Sequence, residues 1–313
     1  MNLRKILSAL ICLSLVAAVC FSYGKVIADA AGKTSFQVDF IDVGQGDASL
    51  IQCDGHYMLI DGGTAKQSGK IYSYLKNRSI SYLDYIVATH PDADHVGGLS
   101  GALNYAKVGV AFSPVTTHDS KSFSSLLKYL TKQGKGITVP KAGDVFALGS
   151  AEITVLGPVT MSEGDNNNSI VLRIQYGAVS FLFTGDAEQE EETEILDSGV
   201  PLQSTVLKVA HHGSRKSTSY RFLREAAPEY AVISVGADNP YGHPTEDTLS
   251  RLRDADVTVY RTDLLGDIVC TSDGKQVAFS TQKDANTDTL AGAGNGRNAI
   301  IVEGYIPCGI CHP

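Results

Sequence analysis

Thr89-His90-Pro91-Asp92-Ala93-Asp94-His95-Val96-Gly97-Gly98 is the stretch on which the fold turns. Four side chains able to ligate a metal, His90, Asp92, Asp94 and His95, stand within six residues. Packed that closely in a protein interior without cations, two imidazoles and two carboxylates would desolvate one another at heavy cost. Divalent ions remove the conflict, and the spacing lets one loop aim ligands at two neighbouring ions. The apolar residues 85–88 predict a strand leading into the loop, and Gly97-Gly98 predicts a tight turn ahead of a helix. A merely polar surface loop needs no such frame.

Further ligands are expected where other strands end at the same sheet edge. Residues 181–186 are an apolar run closing on Gly185-Asp186, residues 206–214 run into His211-His212, and residues 59–63 end on Asp61. An Asp after a strand is often only a turn former, but together with the His loop these make four such endings in one chain. Residues 36–43 alternate apolar and polar, and residues 48–53 and 57–60 meet at Asp54-Gly55, a hairpin signal. Phe123, Leu126, Leu127 and Leu130 share one face of a helix over residues 120–132. Strands follow at 153–156, 170–174, 179–183, 206–210, 230–235, 257–260, 268–270 and 277–279. Early hairpins predict an antiparallel sheet, and later strand–helix–strand units predict a second sheet with helices outside. The simplest packing is an α/β fold, a four-layer αββα sandwich. The acidic run 188–194 reads as a helix start whose carboxylates face water. Cys53 and Cys270, each in an apolar run, read as buried small hydrophobes.

These segments resemble the metallo-β-lactamase superfamily and, within it, the hydrolase domain of ComEC/Rec2-type DNA-uptake (competence) proteins. The matching stretches are residues 40–47, 59–63, 89–98, 167–169, 184–186, 207–214, 233–236 with 239–244, and 260–263, in family order. The resemblance implies a metallo-β-lactamase sandwich holding two divalent metal ions. His90 and Asp92 would bind the first ion and Asp94 and His95 the second, with Asp186 bridging. One of His211 and His212 would complete the second site, Asp61 would orient the His loop from behind, and Asn168 would likewise stand behind the ligands. The chain departs from the usual pattern twice: Asp92 stands where the loop usually has His, and the segment around Asn168 replaces the usual middle His. Both changes make the site harder and richer in oxygen, so either Zn²⁺ or Mn²⁺ is implied.

The implied chemistry is hydrolysis of a phosphodiester, DNA first, by water activated between the ions, with Asp94 also holding the nucleophile. His243, or whichever of His211 and His212 is not a ligand, would protonate the leaving group. Ser214, Arg215, Lys216 and Lys208 would flank the site and contact phosphate, and Gln45 and Asp47 would line it. Rival substrates are a phosphoester of teichoic acid or lipid, or a lactam or lactone. A rival class is a non-catalytic binding protein on the same scaffold.

Composition narrows these choices. A net charge of −8 excludes a simple polyanion-binding module, though not a nuclease whose bound cations supply local positive charge. Arg4 and Lys5, the apolar run 6–21 and Ala28-Asp29-Ala30 read as a signal peptide over residues 1–30, cleaved after Ala30. The run is shorter than the ~20 residues of a membrane helix, so a secreted, extracellular protein with no membrane span after cleavage is expected. The hydrolase domain then covers residues 31–283, a linker 284–297 and a Cys-containing tail 298–313. Cys308 and Cys311 resemble the last ligand pair of an Ada-type zinc module; with His312 they also match a haem-attachment string. A metal or a disulfide is expected there rather than haem.

Overall fold

The computed structural model describes residues 36–284 and 287–291. The expected signal peptide, most of the linker and the Cys308/Cys311 tail lie outside these residues.

Alternation puts Phe36, Val38 and Phe40 on one face of β1 (Phe36–Phe40), into the interior. It is followed by β2 (Ser49–Cys53), β3 (His56–Ile60), β4 (Tyr82–Val87), β5 (Lys107–Phe112) and β6 (Ile137–Thr138) in one sheet. A second sheet holds β7 (Val145–Leu148), β8 (Ala151–Gly157), β9 (Val171–Tyr176) and β10 (Val179–Phe183). It continues through β11 (Val206–Lys208), β12 (Tyr230–Ile233) and β13 (Thr258–Arg261). The chain then returns to the first sheet with β14 (Ile268–Ser272) and β15 (Val277–Thr281), giving the order β15-β14-β1-β2-β3-β4-β5-β6. Asp54 and Gly55 make the β2–β3 hairpin with φ of +52° and +83°, the left-handed geometry that matches strand twist.

Both sheets are mixed, which differs from the expectation that the early hairpins make an antiparallel one. β3 to β6 pair in parallel within the first sheet, and β7 to β10 pair antiparallel within the second. In each sheet hairpins come first and crossovers later, so the parallel strands β3 and β4, and β10 to β12, deliver their carboxyl ends to one edge.

Helices α1 (Ser68–Asn77), α2 (Ala93–Val96), α3 (Leu99–Tyr105) and α4 (Lys121–Lys132) follow strands of the first sheet. Ser120 caps α4, its Oγ accepting from Phe123 N at 3.1 Å. Helices α5 (Gln189–Asp197), α6 (Tyr220–Ala226) and α7 (Glu246–Asp254) serve the second sheet, and the short α8 (Thr262–Leu265) follows β13. Three apolar layers result. Phe36, Phe40, Phe181 and Phe183 meet between the sheets, with Phe36 and Phe181 ring centroids 4.9 Å apart. Ile71, Leu99 and Phe123 seal the first sheet's outer face, and Ile195, Phe222 and Leu249 the second's. This is the four-layer αββα sandwich.

The acidic run does not face water throughout. Glu191 and Glu192 are buried on the inner face of α5 with Ile195. Glu192 accepts from the backbone N–H groups of Thr218 and Ser219, and Glu191 from Ser169 N at 3.2 Å. Residues 289–291, expected in a linker, are tied to the domain: Arg261 donates to the Thr289 and Ala291 carbonyls and Arg253 to that of Leu290. Cys53 and Cys270 are buried free thiols. Among the described residues, no helix is long and apolar enough to cross a membrane.

Candidate metal centre

The His loop leaves β4 at Val87, turns through His90 and Asp92, and enters α2, where the Asp92 carbonyl accepts from His95 N and Val96 N. It is locked against the Asp61-Gly62-Gly63 turn that follows β3. Gly62 N donates to His95 O at 2.8 Å and Gly98 N to Gly63 O at 2.9 Å. A Cβ on Gly98 would lie 1.9 Å from Gly62 O, so this backbone-to-backbone contact requires glycine.

Asp61 is fully buried and accepts from Thr89 N (2.9 Å), Thr89 Oγ1 (2.7 Å) and His95 Nδ1 (2.9 Å). A carboxylate accepts only, so His95 carries its proton on Nδ1 and presents Nε2 to the cavity. From the second sheet, β10 ends in Thr184-Gly185-Asp186. Asp186 N donates to Ser169 Oγ at 3.0 Å, and the carboxylate points at His95 Nε2 (3.3 Å) and His212 Nε2 (3.5 Å). Beyond β11, His211 and His212 adopt left-handed φ of +50° and +53°, a costly geometry for non-glycine residues that clusters at functional sites.

Of the two histidines, His212 is the one turned into the cluster. It is buried, its Nδ1 donates to Ser234 O at 2.9 Å, and its Nε2 lies 3.4 Å from Asp94 Oδ2. His211 stands at the rim, Nε2 3.7 Å from Asp186 and Nδ1 3.4 Å from Glu188. Among the described residues four sets of possible ligand atoms converge: His90, His95 and Asp186; Asp94, His95 and His212; Asp47, Asp186 and His212; and Asp47, Asp61 and His95. Asp92 belongs to none of them; it stands 3.6 Å from His90 Nε2 at the opening.

The electrostatics of the cluster are those of a cation trap. Burial disfavours imidazolium at His212, yet Asp186, Asp47 and Asp94 pull its pKa up to about 10. Burial likewise opposes charge on His95, but Asp186 and Asp61 raise it well above the ordinary value. Asp186, which burial would raise, is held well below the usual carboxylate range by His212 and His95. His90 Nε2, His95 Nε2, His212 Nε2 and Asp186 Oδ1 are buried with no hydrogen-bond partner. Unpartnered polar atoms of this kind, nitrogen and oxygen together, fit divalent ions, which would take the place of the imidazole protons.

Other expected residues sit differently. Asp47 and Lys208 do not face substrate: both are buried, with Lys208 Nζ 2.7 Å from Asp47 Oδ2. Burial would raise the Asp47 carboxyl, but Lys208 and His212 hold it down at about 2. Gln45 accepts from Gly236 N at 3.3 Å, tying two loops together. Asn168 staples the 162–168 loop through Ser162 and Gly164 rather than supporting a ligand; its neighbour Ser169 supports Asp186. Ser214 is buried and shapes the turn, its Oγ accepting from Lys216 N. Arg215 and Lys216 are exposed and line an open cleft of about 340 Å³ with Asn167, Glu188 and Glu190. His243 lies 5.6 Å from the His211 ring, and burial with His211 and His212 nearby pushes it down to about 4. Ser169, Glu188 and the Asp47–Lys208 pair escape sequence reasoning. The one available signal is a Lys inside the apolar run 206–210, which a buried strand tolerates only with a counter-charge.

Comparison with known proteins agrees with this geometry. Residues 41–237 match the metallo-beta-lactamase superfamily. The chain is 30% identical over 273 residues to ComE operon protein 3 of Bacillus subtilis (strain 168), covering 81% of this chain and 35% of that one. It is 31% identical over 242 residues to competence protein ComA of Neisseria gonorrhoeae, covering 76% and 32%. The chain thus spans about a third of the length of these curated relatives. Among solved structures it is similar in fold to CmlA, a diiron beta-hydroxylase from Streptomyces venezuelae, with a TM-score of 0.50 and 16% identity over 72% of this chain and 52% of that one. With a match over more than half its length, on a sandwich whose two sheets bring histidines and carboxylates to one edge, the chain belongs to the metallo-β-lactamase superfamily.

Proposed function

We propose that this chain is a secreted metal-dependent phosphodiesterase whose first substrate is DNA. The observation that carries the reading is the convergence of three unpartnered imidazole nitrogens with the Asp186 carboxylate. His90 and Asp186, with Asp92 at the opening, would hold one divalent ion; Asp94, His95 and His212 the other. Bound there, the ions supply Lewis acidity and an activated water. Asp61 and Ser234 fix the imidazole tautomers so that both Nε2 atoms are free. Asp94, partly exposed, is placed to hold the attacking water. His211, at the rim with its Nδ1 3.4 Å from Glu188, would pass a proton to the leaving oxygen; burial pushes its pKa down, as it pushes that of His243 down to about 4. Arg215 and Lys216 offer charge to a neighbouring phosphate. DNA is put first because relatives of this chain are competence proteins.

The test is hydrolysis of linear DNA by the chelator-stripped chain given Mn²⁺, Zn²⁺ or Mg²⁺, with Asp94→Ala beside it. Cleavage that needs metal and drops at least a hundredfold in the variant supports the reading. Protein that binds two ions and cleaves no DNA overturns the DNA assignment and moves the search to teichoic-acid, lipid and lactone substrates.

A further inference from the structure

Lys208 is a cation buried to 2% exposure, one strand-end away from a site built to bind cations. Its ammonium touches Asp47 Oδ2 at 2.7 Å and the Val209 carbonyl at 2.9 Å. Asp47 is held just as firmly: its N–H donates to Asp94 O, its carbonyl accepts from Gly63 N, and Gly46 before it packs against the Asp94 backbone. The second carboxylate oxygen, Oδ1, is buried without a hydrogen-bond partner and lies 3.2 Å from His212 Nδ1. A ligand atom of Asp47 lies within 4.8 Å of ligand atoms of Asp186 and His212. The tautomer of His212 needs none of this, because the Ser234 carbonyl already fixes it.

We infer that Asp47 and Lys208 form a charge regulator for the cation site, in which Lys208 cancels a carboxylate that would otherwise add to the attraction on an ion at His212. The inference rests on the metal-centre reading above. Its logic is one of sign. An uncancelled Asp47 adds a negative charge within a few ångströms of the ion, in surroundings that screen poorly. An uncancelled Lys208 adds a positive one. Removing both restores the balance and leaves no unpaired buried charge, which is the arrangement proteins tolerate best. In this role Lys208 and Asp47 act on the ion through the field at His212, so they are positioning residues.

The experiment is calorimetric titration of Mn²⁺ alone, and of Zn²⁺ alone, into the chelator-stripped chain and three variants: Lys208→Met, Asp47→Asn and the double substitution. Tightening by about tenfold or more in Lys208→Met, weakening by about tenfold or more in Asp47→Asn, and return to within a few-fold in the double variant are expected. If Lys208→Met does not fold without metal, Asp47→Asn against the double variant carries the test, with the melting temperature of each stripped protein read beside its affinity; affinity that recovers only in step with folding overturns the inference. Weakening in all three variants, or no change in any, overturns the inference. If the unmodified chain itself takes up no ion, the metal-centre reading fails instead, and the two failures are distinguishable.

Discussion

Asp61→Asn should fold and yet lose metal, because of one proton. In the native chain, Asp61 Oδ1 accepts from Thr89 N, and Oδ2 accepts from Thr89 Oγ1 and His95 Nδ1. A backbone N–H can only donate, so the new amide must keep its oxygen at the Oδ1 position and put its NH₂ where Oδ2 was. The Thr89 hydroxyl can rotate to accept, but His95 Nδ1 can accept only by losing its hydrogen. The imidazole proton then moves to Nε2, the atom needed for the ion. Loss of an outer partner of a ligating histidine costs about 10–100-fold in affinity, or about 1.4–2.7 kcal/mol. Stability without metal should fall by less, about 1–2 kcal/mol, since the hydrogen bonds weaken from charge-assisted to neutral but stay paired. Calorimetric titration with Mn²⁺ and Zn²⁺ gives the affinities, and long-range nitrogen–proton NMR of the imidazoles gives the tautomer. A folded variant that binds both ions at native affinity with His95 still protonated on Nδ1 would refute the reasoning.

Glu191 should limit stability above mildly acidic pH. Burial first, and then Glu194 and Glu192, raise its pKa well above 4.5, so the folded state holds a proton that the unfolded state releases. Stability therefore falls as pH rises from about 4.5 toward the folded value. Glu191→Gln should melt higher at pH 8, by about 2–4 °C for each kcal/mol of an unpaired-group cost of about 1–3 kcal/mol, and converge with the native chain near pH 4; equal melting at pH 8 would sink the idea. Cys270, pushed up to about 12 by burial, should resist alkylation at pH 8 in the folded chain and react only on denaturation; rapid labelling of native protein at this residue would contradict its place in the core.

Sequence carried some elements of this structure fully and others not at all. Residues 179–183 and the hairpin at Asp54-Gly55 emerge as read, because burial on both faces and a left-handed turn leave local marks. The edge strand β7 and the Gly109-interrupted β5 escape notice: β7 is an apolar run of only four residues, mostly outside the core, and a glycine breaks β5. Glu191 and Glu192 were hidden by composition: a run of acids looks solvated until Ile195 fixes which face of α5 turns inward. The His loop names its own chemistry, but its supports do not. Lys208 and Asp47 lie far apart along the chain, and spacing says nothing of a contact made between the ends of β11 and the β1–β2 turn.

The candidate ligand atoms come from both halves of the sandwich: His90, Asp94 and His95 from the first sheet, Asp186 and His212 from the second. An ion seated among them is therefore a clasp across the interface between layers as well as a reagent. Neither half alone owns a full coordination sphere, so cation uptake reports that the two sheets have docked in register. Ion binding adds its free energy to that docking, and stripping the ions should loosen this edge of the sandwich before any other.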